Sequence, residues 1–433
     1  MNYNFTTRFI KKLANLQFAI ILLFTIGITI AIGTIIEQDQ AIAFYKENYP
    51  IDNPLFGFLT WKVITFLNLD HLYTAWWFLL LLFLFSASLI ACTFTTQLPS
   101  IKTFKIWKFY TQSRQFKNLI VNSEFQPEVS NTFVYNCNDK KYHFFRQRKK
   151  GYAYSGLLGR VGPIIVHASI VILLLGSTLG SFGGYAAQEL IPRGEISHIQ
   201  NVTKFGDLSY LPQNVSCRIN DFWITYTKEL KTEQFYSDLS LLDSNGKELI
   251  RKTIFVNEPL TFKDIVLYQT DWDIIGLKLR LPDNEVFQVP LKKIVKEGRK
   301  FWLGSITLGQ NSSEKITILV NDLNGKLLIY DTKGVFIEDT FIGDSINLNQ
   351  DLKVQTLEYI TSTGLQIKSD PGISTVYFSF FLLMVSIYVS FFTYSQIWLI
   401  EESNIVMVGG KSNRAVLFFQ EEFRKILKRT SAL

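Results

Sequence analysis

Four long apolar runs without a charged residue constrain this chain more than any other feature of its sequence. Each run has about 20 residues, enough to cross the hydrocarbon core of a bilayer, and contains no Asp, Glu, Lys or Arg. Buried helices of soluble proteins rarely continue so far without a charge. We therefore predict four membrane-spanning helices, at residues 17–36, 74–94, 161–179 and 375–398.

The charges between the runs alternate and predict an orientation. Residues 1–16, 95–160 and 399–433 are basic, with twelve Lys and Arg against three Asp and Glu in 95–160. Residues 37–73 carry five acidic and two basic residues, and residues 180–374 carry 25 acidic and 21 basic. Because Lys and Arg resist translocation, the basic segments belong on the cytoplasmic or stromal side (the near side) and the others on the opposite, far side. The net charge of +7 thus needs no nucleic-acid partner.

Shorter segments refine this prediction. Trp76 and Trp77 would mark the far-side interface of the second span, and Trp398 the near-side end of the fourth. Leu55–Leu67 is too short to cross the bilayer and is predicted to be a helix lying at its surface. The run Tyr142–Tyr154 alternates aromatic and basic residues, which we interpret as a solvated face near anionic headgroups.

Residues 180–374 carry the signals of β-structure. Asn245-Gly246 and Asn324-Gly325, both favoured in tight hairpin turns, each separate two strand-like runs. Long helical periodicity is absent. The predicted fold is a polytopic α-helical membrane protein with four transmembrane helices and a large all-β domain, sandwich-like or barrel-like, between the third and the fourth.

The three cysteines, Cys92, Cys137 and Cys217, form no CxxC or CxxCH motif. The sequence therefore excludes a dithiol oxidoreductase and a c-type cytochrome. Cys92 lies near the end of the second span, and two interpretations of it stay open. It is either a small apolar side chain in the packing or a thiol beside a path for haem.

His167 is the one residue whose position points to chemistry. It lies roughly 9 Å inside the third predicted span, and an ionisable side chain at such depth is by default a functional hypothesis. A neutral imidazole is a natural axial ligand for haem iron. The alternative is a structural hydrogen bond to a neighbouring span through Ser169 or Ser177. Gly162, Ala168, Gly176 and Gly180 would allow close approach of a helix or a flat ligand.

We interpret the remaining histidines as structural. His71 borders the second span on the far side, and His143 and His198 lie in polar segments.

A single intramembrane histidine does not suit a b-type electron-transfer cytochrome. A solute transporter is also disfavoured, because the spans hold few polar groups and no inverted repeat. A membrane-anchored scaffold or receptor, which binds protein through its β-domain while His167 is structural, stays open.

Several segments, spread in order along almost the whole chain, carry a family resemblance. They are Leu89–Thr95, Gln97–Pro99, Gly159–Pro163 with His167 and Gly176, Tyr236–Leu239, Val256–Leu260, Tyr268–Thr270, Ser362–Lys368, Asp370–Gly372, Tyr394–Trp398 and Gly409–Arg414. With the four-span pattern, they resemble the CcsB/ResB cytochrome c biogenesis proteins, in particular the plastid and cyanobacterial branch of system II.

The resemblance implies a subunit that delivers haem across a plastid thylakoid membrane, or a cyanobacterial thylakoid or bacterial plasma membrane, for covalent attachment to apocytochromes c of the c6 and f types in the lumen. His167 would be the axial ligand of transient haem b, shared with a CcsA-type haem-handling partner. A thioredoxin-like thiol-reducing protein is a further implied partner. The chain itself is expected to be non-catalytic or co-catalytic. Arg160, Lys149 and Lys150 are hypothesised to attract the haem propionates at the near-side entrance.

Overall fold

The computed structural model describes residues 3–99, 107–229, 232–296, 299–307, 315–349, 352–402 and 404–431. The chain forms two compact units, Met1–Thr178 with Gly372–Leu433, and Leu179–Pro371. Within the described residues, the α-helices are α1 Tyr3–Leu13, α2 Leu16–Ile35, α3 Ile42–Asn48, α4 Trp61–Phe66, α5 Trp76–Cys92, α6 Ser130–Asp139, α7 Gly162–Gly183, α8 Ile373–Ser390 and α9 Val416–Ser431.

The strands in the same part of the chain are β1 Val121–Phe125, β2 His143–Gln147, β3 Lys150–Ser155, β4 Tyr185–Pro192, β5 Ile196–Ser197, β6 Val202–Phe205, β7 Val215–Tyr226, β8 Thr232–Asp243, β9 Glu248–Phe255, β10 Leu260–Phe262, β11 Ile265–Arg280, β12 Val286–Pro290, β13 Lys292–Lys296, β14 Arg299–Thr307, β15 Lys315–Val320, β16 Lys326–Tyr330, β17 Phe336–Phe341, β18 Ser345–Asn349, β19 Leu352–Ser369, β20 Ser395–Glu401 and β21 Val406–Ser412.

Four helices are long and apolar enough to cross a membrane: α2, α5 with the turn that follows it, α7 and α8. Only 11% to 22% of the residues in their most apolar windows are buried within the protein. Apolar helices that leave most of their side chains uncovered suit a lipid environment. The prediction of a four-span membrane protein with a sheet-rich domain between the third and fourth spans is confirmed.

The fourth span ends earlier than the sequence predicted. Helix α8 stops at Ser390, and the last residues of the expected span 375–398 belong to strand β20. Trp398, expected at the membrane interface, is only 2% exposed, and its ring stacks on Tyr110 with centroids 4.5 Å apart. The expectation failed because the run stays uncharged through the change from helix to strand. Eighteen helical residues still give about 27 Å.

The basic segments that flank the spans, in which the run Tyr142–Tyr154 was expected to be a solvated face, build a sheet with the strand order β1-β21-β20-β3-β2. Every neighbouring pair in it is antiparallel. Helices α6 and α9 cover it, and Phe133, Ile397 and Phe423 are among the residues of its buried core. The alternating run Tyr142–Tyr154 is a β-hairpin of this sheet, since alternation with a period of two is the pattern of a half-buried strand.

The surface helix predicted before the second span is shorter in the structure than in the prediction. Of the segment Leu55–Leu67, only Trp61–Phe66 is helical, and Leu55 and Leu59 form an isolated β-bridge. The hydroxyl of Thr60 caps this short helix by accepting a hydrogen bond from the backbone N–H of Val63.

The unit Leu179–Pro371 consists of antiparallel sheets. One has the order β10-β11-β19-β4-β6, with β12 on β11 and β18 on β19; the others are β5-β7-β8-β9 and β13-β14-β15-β16-β17. Asn245-Gly246 and Asn324-Gly325 connect β8 to β9 and β15 to β16, as predicted. Both glycines have positive φ, 77° and 88°, a conformation that glycine adopts at little cost. One core contains Ile219, Leu239 and Leu365, and another contains Leu277, Trp302 and Ile318.

Candidate functional site

His167 lies in α7, and the end of α5 packs against it. Helix α5 is followed by a π-helical turn over Thr93–Gln97, a distortion that is common at functional sites. This turn presents two side chains to the imidazole. The hydroxyl of Thr93 is 3.0 Å from Nδ1, and the side-chain amide nitrogen of Gln97 is 3.3 Å from Nε2.

The hydrogen-bond network assigns the ring proton of His167 to Nδ1. The Thr93 hydroxyl donates its only hydrogen to the carbonyl oxygen of Leu89, at 2.8 Å, so towards His167 it accepts. We assign the ring proton to Nδ1 from this network, because that tautomer lets the imidazole donate towards Thr93 and leaves Nε2 its lone pair. The Gln97 amide donates to that lone pair over a distance at the long end of the hydrogen-bond range. In metal-bound histidines the ring nitrogen that does not bind the metal is likewise held as a donor.

The side chains that contact the imidazole are Thr93 and Gln97, and neither is one of the two serines proposed from the sequence. Ser169 donates to the carbonyl oxygen of Val166 in its own helix, at 2.8 Å. The sequence missed Thr93 and Gln97 as partners, although both stand in segments that carry the family resemblance. Their polarity at the end of an apolar run is the signal that was available, but pairing them with His167 requires the packing of α5 beside α7.

Two of the small residues near His167 serve helix packing. A Cβ on Gly162 would lie 2.2 Å from the Ser390 hydroxyl oxygen, and a Cβ on Gly176 would lie 3.1 Å from the Thr375 side chain. Both therefore let α8 approach α7 closely. Ala168, the neighbour of His167, is exposed, so this part of α7 stays open to a further helix or a flat ligand.

With this geometry established, comparison with known proteins is informative. Residues 16–327 and 337–424 match the ResB-like family. The chain belongs to the ResB-like family. It is 54% identical over 424 residues to "Cytochrome c biogenesis protein Ccs1" of Emiliania huxleyi, covering 98% of this chain and 96% of that protein.

Two further relatives also match this chain over nearly its full length. The protein of the same name from Thalassiosira pseudonana is 43% identical, over 96% of this chain and 99% of its own. "Cytochrome c biogenesis protein CcsB" of the cyanobacterium Trichormus variabilis is 44% identical, over 98% of this chain and 93% of its own. The resemblance inferred from the sequence segments is thus confirmed along nearly the full length of this ResB-like chain.

Three of those segments meet in a buried network in the sheet-rich domain. Ser237 donates to the side-chain oxygen of Gln269, and its hydroxyl lies 2.7 Å from that of Thr363. Thr363 donates to the same Gln269 oxygen at 2.9 Å, and the Gln269 amide donates to the Asp271 carbonyl at 2.9 Å. This buried polar cluster links the neighbouring strands β8, β11 and β19 through their side chains.

Arg160 lies just ahead of α7 in this ResB-like chain, separated from the two lysines that were grouped with it. Its guanidinium is 4.7 Å from the centre of the Tyr394 ring, and burial and the nearby charge of Arg414 lower its pKa. A guanidinium nevertheless remains charged at neutral pH. Arg160 follows the Ser155 end of strand β3, whereas Lys150 begins that strand and Lys149 precedes it. The six residues of β3 separate its two ends by about 17 Å.

His71 stands at the other end of α5 from the His167 site. The 17 residues of α5 separate the two ends by about 26 Å. The Nδ1 of His71 is 2.6 Å from an Asp39 carboxylate oxygen, and its Nε2 is 3.7 Å from Asp70. Its side chain is 53% exposed. Among the described residues, no group of three or more His, Cys, Asp or Glu side chains is arranged to hold a metal ion.

Proposed function

We propose that this ResB-like chain is a non-catalytic subunit of a membrane complex that matures c-type cytochromes, and that His167 ligates haem as haem crosses the membrane. The names of its relatives support a place in cytochrome c biogenesis. The observation that carries the haem role is the Nε2 lone pair of His167, which Thr93 orients from the opposite side of the ring.

The residues around His167 fit haem as cargo. An apolar ring with an iron centre needs one ligand nitrogen within the apolar span and an open helix surface beside it. Nε2 supplies the nitrogen, and the exposed Ala168 leaves the surface open. Gln97 must turn away before Nε2 can bind iron, and a single hydrogen bond of 3.3 Å opposes that turn by only about 1 kcal/mol.

Arg160 is the candidate for the haem propionates on the near side. It lies two residues ahead of α7, whose first residue is about 8 Å from His167 along the helix axis, and a guanidinium pairs well with carboxylates. Because Lys149 and Lys150 lie at the distant end of β3, they become the control. Arg160→Gln should lower haem occupancy, whereas Lys149→Gln with Lys150→Gln should not; equal effects would remove Arg160 from the proposal.

The second axial ligand is proposed to come from a CcsA-type partner, with haem b bound only in transit. Attachment to c6-type and f-type apocytochromes would follow on the lumenal far side of a plastid thylakoid membrane. The sheet-rich domain would hold the apocytochrome or a thioredoxin-like thiol-reducing protein.

The test is an absorption spectrum of the complex with a CcsA-type partner, compared with the complex of His167→Gly. Loss or shift of the Soret band in the variant, reversed by added imidazole, is the expected result. A variant that pairs normally with its partner and keeps an identical spectrum would show that His167 does not ligate haem.

That negative result would favour a second function, a membrane-anchored scaffold that binds apocytochrome or another protein without ligating haem. One observation supports it: both ring nitrogens of His167 already have partners within the chain. The scaffold would then depend on the sheet-rich domain, and His167→Gly would leave cytochrome c maturation intact.

A further inference from the structure

A cavity of about 500 Å³ lies in the sheet-rich domain, at the end where the chain enters from span three and leaves towards span four. Gly183, the last residue of α7, and Pro371, two residues before α8, both line it. The volume is in the range of sites for small molecules and cofactors. We call it the Tyr185 cavity.

The cavity is built from fixed elements. Tyr185, Ser369 and Ile265 lie side by side on β4, β19 and β11 and form its floor. The loop that carries Leu208 and Tyr210 is fastened by the Leu208 N–H, which donates to the Phe182 carbonyl at 2.9 Å. The same loop is held by Ser209, which donates to the carbonyl oxygen of Gly184. A site with such rigid walls loses little entropy when a ligand binds.

The hydroxyl of Tyr185 is the feature that points to a ligand. Tyr185 is only 4% exposed, and its hydroxyl has no hydrogen-bond partner among the residues that the structure describes. An unsatisfied buried polar group destabilises the fold and calls for an explanation. Burial, together with the charge of Asp264, raises the pKa of Tyr185, so the phenol stays protonated and offers a donor.

The rest of the lining defines what the donor could meet. Phe262, Val215 and Leu208 give apolar walls, and Lys263 stands in the two-residue turn between β10 and β11 with φ of 51°. Lys263 and Asp264 are both exposed, so water screens their charges, whereas the Tyr185 hydroxyl is enclosed. The cavity thus combines apolar walls with the enclosed Tyr185 hydroxyl, the amide side chains of Gln213 and Asn214, and the Lys263–Asp264 pair at its edge.

We infer that the Tyr185 cavity binds a carboxylate carried on an apolar body, with the Tyr185 phenol donating to a carboxylate oxygen and Lys263 balancing its charge. Two sources share this chemistry: a porphyrin propionate and a fatty acid from the membrane. The porphyrin case rests on the proposed function and would make the cavity a holding point for haem after its passage. The fatty-acid case does not depend on that function.

The experiment measures binding of metal-free protoporphyrin IX to the full chain in an uncharged detergent, by fluorescence titration. Protoporphyrin keeps both propionates but has no iron, so His167 cannot ligate it. Tyr185→Phe removes only the hydroxyl, and we expect it to weaken binding roughly tenfold or more, since the hydrogen bond to a charged carboxylate is lost. Tyr210→Phe, on the exposed rim, is the matched control and should bind like the parent chain.

Further arms separate the possible outcomes. His167→Ala should leave protoporphyrin binding unchanged, so failure of the haem-ligand proposal and failure of this one are distinguishable. If protoporphyrin does not bind but oleate binds and weakens with Tyr185→Phe, the site stands with a fatty acid as its ligand. If neither probe distinguishes Tyr185→Phe from Tyr210→Phe, the inference is overturned. Folding is not in question, because removing an unpaired buried hydroxyl should leave the melting temperature unchanged or raise it.

Discussion

The side-chain amide of Gln97 lies 3.3 Å from Nε2 of His167, the nitrogen that carries the lone pair. Gln97 therefore occupies the direction from which iron would approach. Its own side-chain oxygen is buried without a hydrogen-bond partner among the described residues, so its present position is poorly stabilised. The residue can act as a placeholder that gives way to a ligand.

Replacing Gln97 with Leu should strengthen haem binding. The variant removes the donor that competes for Nε2, and a neutral hydrogen bond is worth about 0.5–1.5 kcal/mol, which corresponds to roughly two- to tenfold in affinity. Haem titration of the complex, followed at the Soret band, measures the change. Equal or weaker binding would mean that Gln97 assists the ligand instead of competing with it.

Replacing Thr93 with Val should weaken haem binding by roughly tenfold or more. Valine keeps the size of the side chain but removes the acceptor that holds Nδ1–H, and loss of such an orienting partner typically costs 10–100-fold in metal affinity. Thr95→Val is the matched control. Thr95 lies in the same π-helical turn as Thr93, but its hydroxyl donates to the Ala91 carbonyl. Thr93→Ser should retain binding. Identical titrations for the two valine variants would contradict the assigned role.

The contrast between His167 and its partners shows what the sequence could predict of the site. His167 stood out because it is an ionisable residue in an uncharged run, which is a property of the local sequence. Thr93 and Gln97 lie 74 and 70 residues away, and their contact depends on how two spans pack. Such a contact has no local signature in one sequence.

The same distinction separates the parts of the fold. The first three spans and the two Asn-Gly hairpins were predictable because apolar length and turn chemistry act over a few residues. Strand β20, in contrast, pairs Trp398 with Tyr152, so its strand character depends on a partner 246 residues earlier in the chain. Hydropathy alone extended α8 into this strand, since the sequence has no charged residue between Ile373 and Ile400.

Replacing Gly159 with Ala should destabilise the first unit. A Cβ at Gly159 would lie 1.6 Å from the backbone carbonyl oxygen of Phe392, and this backbone cannot turn aside as a flexible side chain would. Overpacking of this kind costs about 1–3 kcal/mol or more, so we expect a lower melting temperature in detergent.

The control for Gly159 is Gly27→Ala in α2. No atom lies within 4 Å of a Cβ built on Gly27, and alanine is the better helix former by about 1 kcal/mol. This variant should melt at the parent temperature or above it. A Gly159→Ala chain as stable as Gly27→Ala would refute the close packing of residues 159 and 392.

The two cysteines outside the spans should resist alkylation in the folded protein. Burial raises the pKa of Cys217 to about 12, and burial and Glu422 raise that of Cys137 still further. Only the thiolate reacts. At pH 8, a thiol of pKa about 12 is ionised to roughly one part in ten thousand, whereas a thiol of pKa 9 is ionised to roughly one part in ten. Below the pKa, the ionised fraction rises tenfold with each unit of pH.

In a Cys92→Ser background, maleimide should therefore label neither residue until the chain is unfolded in SDS. Rapid labelling of the folded chain at pH 8 would show an accessible thiolate and contradict the burial of these two residues.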